Sequence, residues 1–167
     1  MTDSPSPERI KALVDKDEIR DVLMRYSRGV DRHDREALRS CYHTDSRDDH
    51  GHWKGNGQEF ADFIIDSLIE RSHTTTHSVA NVLIELDPED ADLARSESYG
   101  VAYLRRTDEA GQEWLDVFAG RYVDRFERRG GEWRIADRVI VHDWSASTEL
   151  DGDNFPLAME GFTQGRR

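Results

Sequence analysis

Residues 113–144 read EWLDVFAGRYVDRFERRGGEWRIADRVIVHDW. Two runs in it, 113–128 and 132–144, are rich in aromatic and β-branched residues, and Arg129-Gly130-Gly131 separates them. A Gly-Gly connection between such runs predicts a hairpin of two antiparallel strands. Working back from this hairpin, residues 74–86 and 91–106 have the same character. Their connections, Asp87-Pro88-Glu89-Asp90 and residues 108–111, are short and turn-like. Four strand-like runs joined this tightly predict an antiparallel meander.

Upstream of Arg71 the period changes. Over residues 6–30, Ile10, Leu13, Val14, Ile19, Val22, Leu23 and Tyr26 recur at three- and four-residue steps. This predicts a helix with one buried stripe, ended by Gly29. Asp34 caps a second, short helix with Ala37, Leu38 and Cys41 on its apolar side. Residues 47–54 read as extended and end in the turn signal Gly55-Asn56-Gly57. A third helix over 58–70 buries Phe60, Phe63, Ile64, Leu68 and Ile69. Three helices followed by a meander make an α+β fold, with the helices on the concave face of the sheet. The expected division is a flexible N-terminus at 1–7, one domain at 8–145 and a tail at 146–167 that wraps the body or a partner subunit.

At 167 residues, one domain can hide roughly 70% of its unfolded surface and needs no disulfide or metal to fold. The single cysteine, Cys41, has no internal bridging partner, so it reads as a small buried apolar residue in a reducing, cytoplasmic compartment. The polar start MTDSPSPERI predicts neither a signal peptide nor a membrane span. The formal net charge of −12 repels phosphate backbones, which argues against nucleic acid as a partner.

Two residues carry the candidate chemistry. Asp31 follows the first helix, and His77 lies early in the run Thr75-Thr76-His77-Ser78-Val79-Ala80-Asn81. Alternation puts His77, Val79, Asn81 and Leu83 on one face, pointing His77 toward the core. Periodicity alone leaves it a core histidine. Ser78 falls on the opposite face, which speaks against a Ser–His nucleophile pair. His50 and His52 have the spacing to start a metal site but lack a third ligand pattern, so no metal is expected.

Tyr26 with Asp31, the run Thr76 to Asn81, and the late FERRGGEWRI hairpin occur together in a definite order. In order and spacing they resemble the SnoaL-like branch of the nuclear transport factor 2-like superfamily. That branch includes polyketide cyclases, scytalone dehydratase, a hexachlorocyclohexane dehydrochlorinase and bile acid 7α-dehydratase. The resemblance covers about residues 8–145 and implies a cone-shaped α+β barrel whose mouth admits a hydrophobic small molecule.

It also implies an Asp31–His77 dyad, with Tyr26 and Arg138 as polar pocket groups and His142 where a relative has a functional arginine. Alternation agrees in part, placing Arg138, Ile140, His142 and Trp144 on one strand face. His50, Trp53 and Phe118 complete the expected pocket wall. The second in-barrel histidine of scytalone dehydratase is missing from Val117-Phe118-Ala119-Gly120-Arg121. The role of that enzyme's substrate-water tyrosine is either vacant here or filled by His50.

By resemblance, the expected activity is a cofactor-independent lyase or isomerase acting on a hydrophobic cyclic molecule, in a homodimer or homotrimer. Two alternatives from the same superfamily stand beside it. One is a non-catalytic ligand-binding or assembly module, such as a dioxygenase β subunit. The other is an epoxide hydrolase, whose Asp–Arg–Asp chemistry fits a histidine dyad less well.

Overall fold

The structure is a computed structural model that describes residues 4–151. Three helices come first: α1 (Pro7–Arg32), α2 (Arg35–Ser40) and, after two strands, α3 (Gly57–Arg71). The strands are β1 (Tyr42–Asp49), β2 (Lys54–Gly55), β3 (Thr74–Leu86), β4 (Leu93–Thr107), β5 (Glu113–Arg129) and β6 (Glu132–Leu150). They form one curved, unclosed sheet in the order β2-β1-β6-β5-β4-β3. The meander is antiparallel as expected, and β1 adds to β6 in parallel. No helix among the described residues is long and apolar enough to cross a membrane.

Ser6 caps α1, accepting from the Arg9 N–H, and Pro7 fits the first helical turn because its missing N–H is not needed there. The helix does not stop at Gly29. It runs three residues further and ends on His33 in the left-handed conformation, φ 54°. Gly29 serves close packing instead: a Cβ there would sit 3.0 Å from the Leu38 backbone nitrogen on α2. Asp31 consequently lies inside the last helical turn. Asp34 caps α2 and Asn56 caps α3.

The predicted stripe of α1 holds from Ile19 to Val30, all deeply buried, but Ile10, Leu13 and Val14 are half-exposed. Asp15 is the first deeply buried residue of the helix among the described residues, and its carboxylate takes Arg128 of β5 at 2.7 Å. On α3 the inward side is Phe60, Ala61, Ile65 and Leu68; Phe63 and Ile69 face outward. Cys41 is buried and free, its thiol pushed up to about 11 by burial. The expected tail begins late, because β6 extends six residues past Trp144 to Leu150. Residues 152–167 lie outside the described residues.

The approach of α3 to β1 is set by Gly57. A Cβ added there would fall 2.2 Å from Cδ1 of Tyr42, a ring with no solvent-exposed surface and no room to swing. Gly57→Ala is expected to destabilise the protein by about 1–3 kcal/mol, the usual cost of overpacking, as read from urea unfolding midpoints.

Candidate active site

Helices and sheet enclose a cavity of about 330 Å³. Its wall is mostly apolar: Val30, Phe60, Ile64, Leu68, Leu104, Phe118 and Ile140. The polar groups within it are Tyr26, His50, His52, His77 and Tyr122, and Arg71 stands on its edge. A largely apolar cleft with a few convergent polar groups is the usual form of a small-molecule site.

Asp31 and His77 meet there. The His77 Nδ1–H lies 2.7 Å from Asp31 Oδ1, and the His77 backbone N–H donates to Oδ2 at 2.9 Å. One carboxylate thus holds both ring and backbone, coupling the end of α1 to β3. A carboxylate has no proton to give, so Nδ1 carries the one between them, and in the neutral form of the ring Nε2 is the bare nitrogen left for the cavity. Both side chains retain slight exposure, 14% and 13%, consistent with groups at a cavity wall.

The face predicted for β3 holds at His77 and Val79 and fails beyond. The pairing register with β4 slips between Ala80 and Leu83, and Asn81 takes a positive φ of 48°. This bulge turns Val82, Ile84 and Leu86 inward and leaves Leu83 exposed. A similar slip separates Trp144 from Arg138, Ile140 and His142. Gly120 pairs with His142 but Ala119 with Trp144, so the tryptophan turns to the other face and is exposed.

Arg138 is on the predicted face but does not line the cavity. It has no solvent exposure, and Nε and Nη2 donate to Asp124 at 2.7 and 2.8 Å. Its guanidinium sits over the Tyr26 and Tyr122 rings, 4.2 and 4.5 Å from their centroids. It therefore backs the tyrosines that face the cavity. His142 is exposed, its ring 5.1 Å from that of Phe118. Trp53 stacks near Phe60 and Phe63 behind the cavity wall.

One constellation went unread in the sequence. His50 Nδ1 hydrogen-bonds Asp48, whose side chain is fully buried, and Asp48 also accepts from the Tyr42 hydroxyl. The His50 ring stacks on Phe60 with centroids 3.8 Å apart, and its Nε2 lies 3.4 Å from the Tyr26 hydroxyl. Asp48 and His50 stand two residues apart on an extended run, which places them on one side; that spacing was the available signal. Tyr122 was missed too, although it alternates with Phe118 and Gly120.

Burial lowers the His50 pKa from the ordinary imidazole value, with the Asp48 hydrogen bond offsetting part of that. Burial and the neighbouring Arg129 lower that of His43. Unfolding then takes up protons between about pH 6.5 and the lower folded values, so stability is lost as the pH falls through that window. Urea midpoints measured from pH 7.5 down to 5.5 should show this fall, and it should be smaller in His50→Gln. Burial also pushes the Tyr26 hydroxyl well above its usual range and that of Tyr122 to about 12, which keeps both protonated as donors. Among the described residues, no group of three His, Cys, Asp or Glu is arranged to hold a metal ion.

The fold has many relatives among solved structures. A putative scytalone dehydratase from Novosphingobium aromaticivorans superposes with TM-score 0.72 at 19% identity, over 83% of this chain and 90% of that one. A hexachlorocyclohexane dehydrochlorinase, LinA type 2, gives TM-score 0.73 at 23% identity over 92% and 99% of the two chains. A Mycobacterium tuberculosis protein of unknown function gives 0.68 at 24% over 83% and 76%. At these identities the likeness shows the fold alone. No functionally curated protein matches the chain in sequence. The SnoaL-like domain family matches residues 11–139, more than three-quarters of the chain, and the protein belongs to that family.

Proposed function

We propose that the protein is a cofactor-independent lyase or isomerase that removes a proton from carbon in a hydrophobic cyclic small molecule, with His77 as general base. The observation that carries this reading is the double hold of Asp31 on His77 at the wall of an apolar cavity. Asp31 fixes the tautomer and stabilises the imidazolium as it forms. A positioned base of this kind is worth about 10²–10⁴-fold in rate. The Tyr26 and Tyr122 hydroxyls are the donors that hold negative charge developing on a carbonyl oxygen, and Phe118 and Phe60 pack against the ring. Arg138 acts through the tyrosines it backs, and His142 and Trp53 shape the surroundings of the wall without facing the substrate.

We further propose that the protein works in the cytoplasm as a homodimer or homotrimer. The outer sheet face supports the assembly, since Tyr99, Val123 and Val139 project there and are well exposed.

The base is tested without knowing the natural substrate. β-Tetralone is a bicyclic ketone with acidic protons beside its carbonyl, and in D₂O their loss from the proton NMR spectrum reports carbon deprotonation directly. Exchange well above the buffer rate is expected with the purified protein; exchange at the buffer rate would overturn the reading.

A further inference from the structure

The side of α3 that lines the cavity ends in a cation. Phe60, Ile64 and Leu68 follow one another along the wall at single helical turns, and the next position on that side is Arg71. The apolar wall thus gives way to a guanidinium in the last turn of the helix, exposed at the edge of the cavity. Its Nε–H donates to the Ser67 carbonyl at 3.3 Å, which ties the stem back along α3. Among the described residues, no carboxylate pairs with Arg71.

That separates it from its neighbours. Just after α3 the His73 N–H donates to the Arg105 carbonyl, so β4 brings Arg105 and Arg106 to the same end of the molecule. Arg105 takes Glu113 at 2.7 Å and Arg106 takes Asp116 at 2.6 Å. Those two are matched within the protein, and Arg71 is left to the cavity edge. A cation in a last helical turn is favoured by the helix dipole wherever it points. The dipole does not account for the direction, onto the rim of an apolar cavity in a chain of formal net charge −12.

We propose that Arg71 is a specificity residue that binds a carboxylate on the substrate. The proposal rests on the reading of the cavity as the site of a hydrophobic ring and names the substrate class more closely: a cyclic ketone whose far end bears a carboxylate. The ring lies among Phe60, Ile64, Leu68 and Phe118 with its reacting carbon at His77. The carboxylate reaches the edge, where the two Nη nitrogens take its two oxygens as a forked pair. The low-dielectric wall on one side strengthens this attraction over that of a fully exposed pair. The net negative charge of the chain does not cancel it, because charges beyond about 10 Å are largely screened at 0.1 M salt. A neutral ring of the same shape gains nothing from Arg71, so charge rather than size sets the choice.

Two inert ligands test this: 2-naphthoate, ionised at neutral pH, and 2-naphthamide, its uncharged counterpart of nearly the same shape. Dissociation constants are measured by isothermal titration calorimetry at pH 7.5. The wild type is expected to bind naphthoate roughly tenfold more tightly than the amide, the gain from charge-assisted hydrogen bonds at a half-open site. In Arg71→Gln the two constants should be nearly equal. Comparing both ligands within one preparation cancels any general loss of folded protein. Equal affinities in the wild type, an undiminished preference in Arg71→Gln, or loss of both ligands together in that variant would each overturn the proposal. Binding needs no turnover, so these outcomes are separate from β-tetralone exchange, which tests His77. Binding of neither ligand by the wild type would overturn the proposal together with the reading of the cavity beneath it.

Discussion

Replacing His77 with glutamine is expected to slow α-proton exchange of β-tetralone by about 10²–10⁴-fold, the range that a positioned general base supplies. Glutamine keeps similar bulk and hydrogen-bonding capacity near Asp31 but has no nitrogen that takes a proton near neutral pH. The protein should unfold at nearly the wild-type urea concentration, because the backbone N–H of residue 77 still donates to Asp31. Asp31→Asn should lie between the two in rate. The imidazole stays, but an amide neither holds Nδ1–H as firmly nor balances the imidazolium charge. Exchange at the wild-type rate in His77→Gln would show that His77 is not the base.

Arg138→Met carries the largest expected effect on stability. The guanidinium has no exposure, two of its nitrogens grip Asp124, and Asp124 is itself fully buried at its side chain. Truncating one partner leaves a charge in the interior without its counterion, a loss of about 3–5 kcal/mol. For a chain of this size that lowers the melting temperature on the order of 10 °C. The Tyr26 and Tyr122 rings lose the cation between them as well, so exchange should weaken even in the folded fraction. Pairing the change with Asp124→Leu removes the orphaned carboxylate and should recover most of the stability without restoring that cation. If Arg138→Met melts with the wild type, the buried pair is not what holds β5 and β6 behind the tyrosines.

The fold was largely legible because its signals are local. Gly130-Gly131 fixes the β5–β6 hairpin, both glycines having positive φ, and the three-to-four-residue spacing fixes α1. What escaped was non-local. Nothing in Ile10, Leu13 and Val14 says that deep burial starts at Asp15, and Gly29 has the same letter whether it ends a helix or admits Leu38. Alternation predicts a strand face only until the register slips, as at Asn81 and again before Trp144. Arg138 shows the other limit, since period two gives the side of the sheet and not the depth behind it. Asp31 and His77 are separated by 46 residues, and no spacing rule joins them. The family resemblance proposed the pair, and the structure brings the two side chains together.

For His77 to act as the carbon base, Nε2 must be the nitrogen that faces the cavity. Nitrogen chemical shifts of the His77 ring at neutral pH report this directly. The prediction is a protonated Nδ1, a bare Nε2, and a shift of the Nε2 resonance when β-tetralone is added. A protonated Nε2 at neutral pH, or an Nε2 signal indifferent to the ketone, would contradict it.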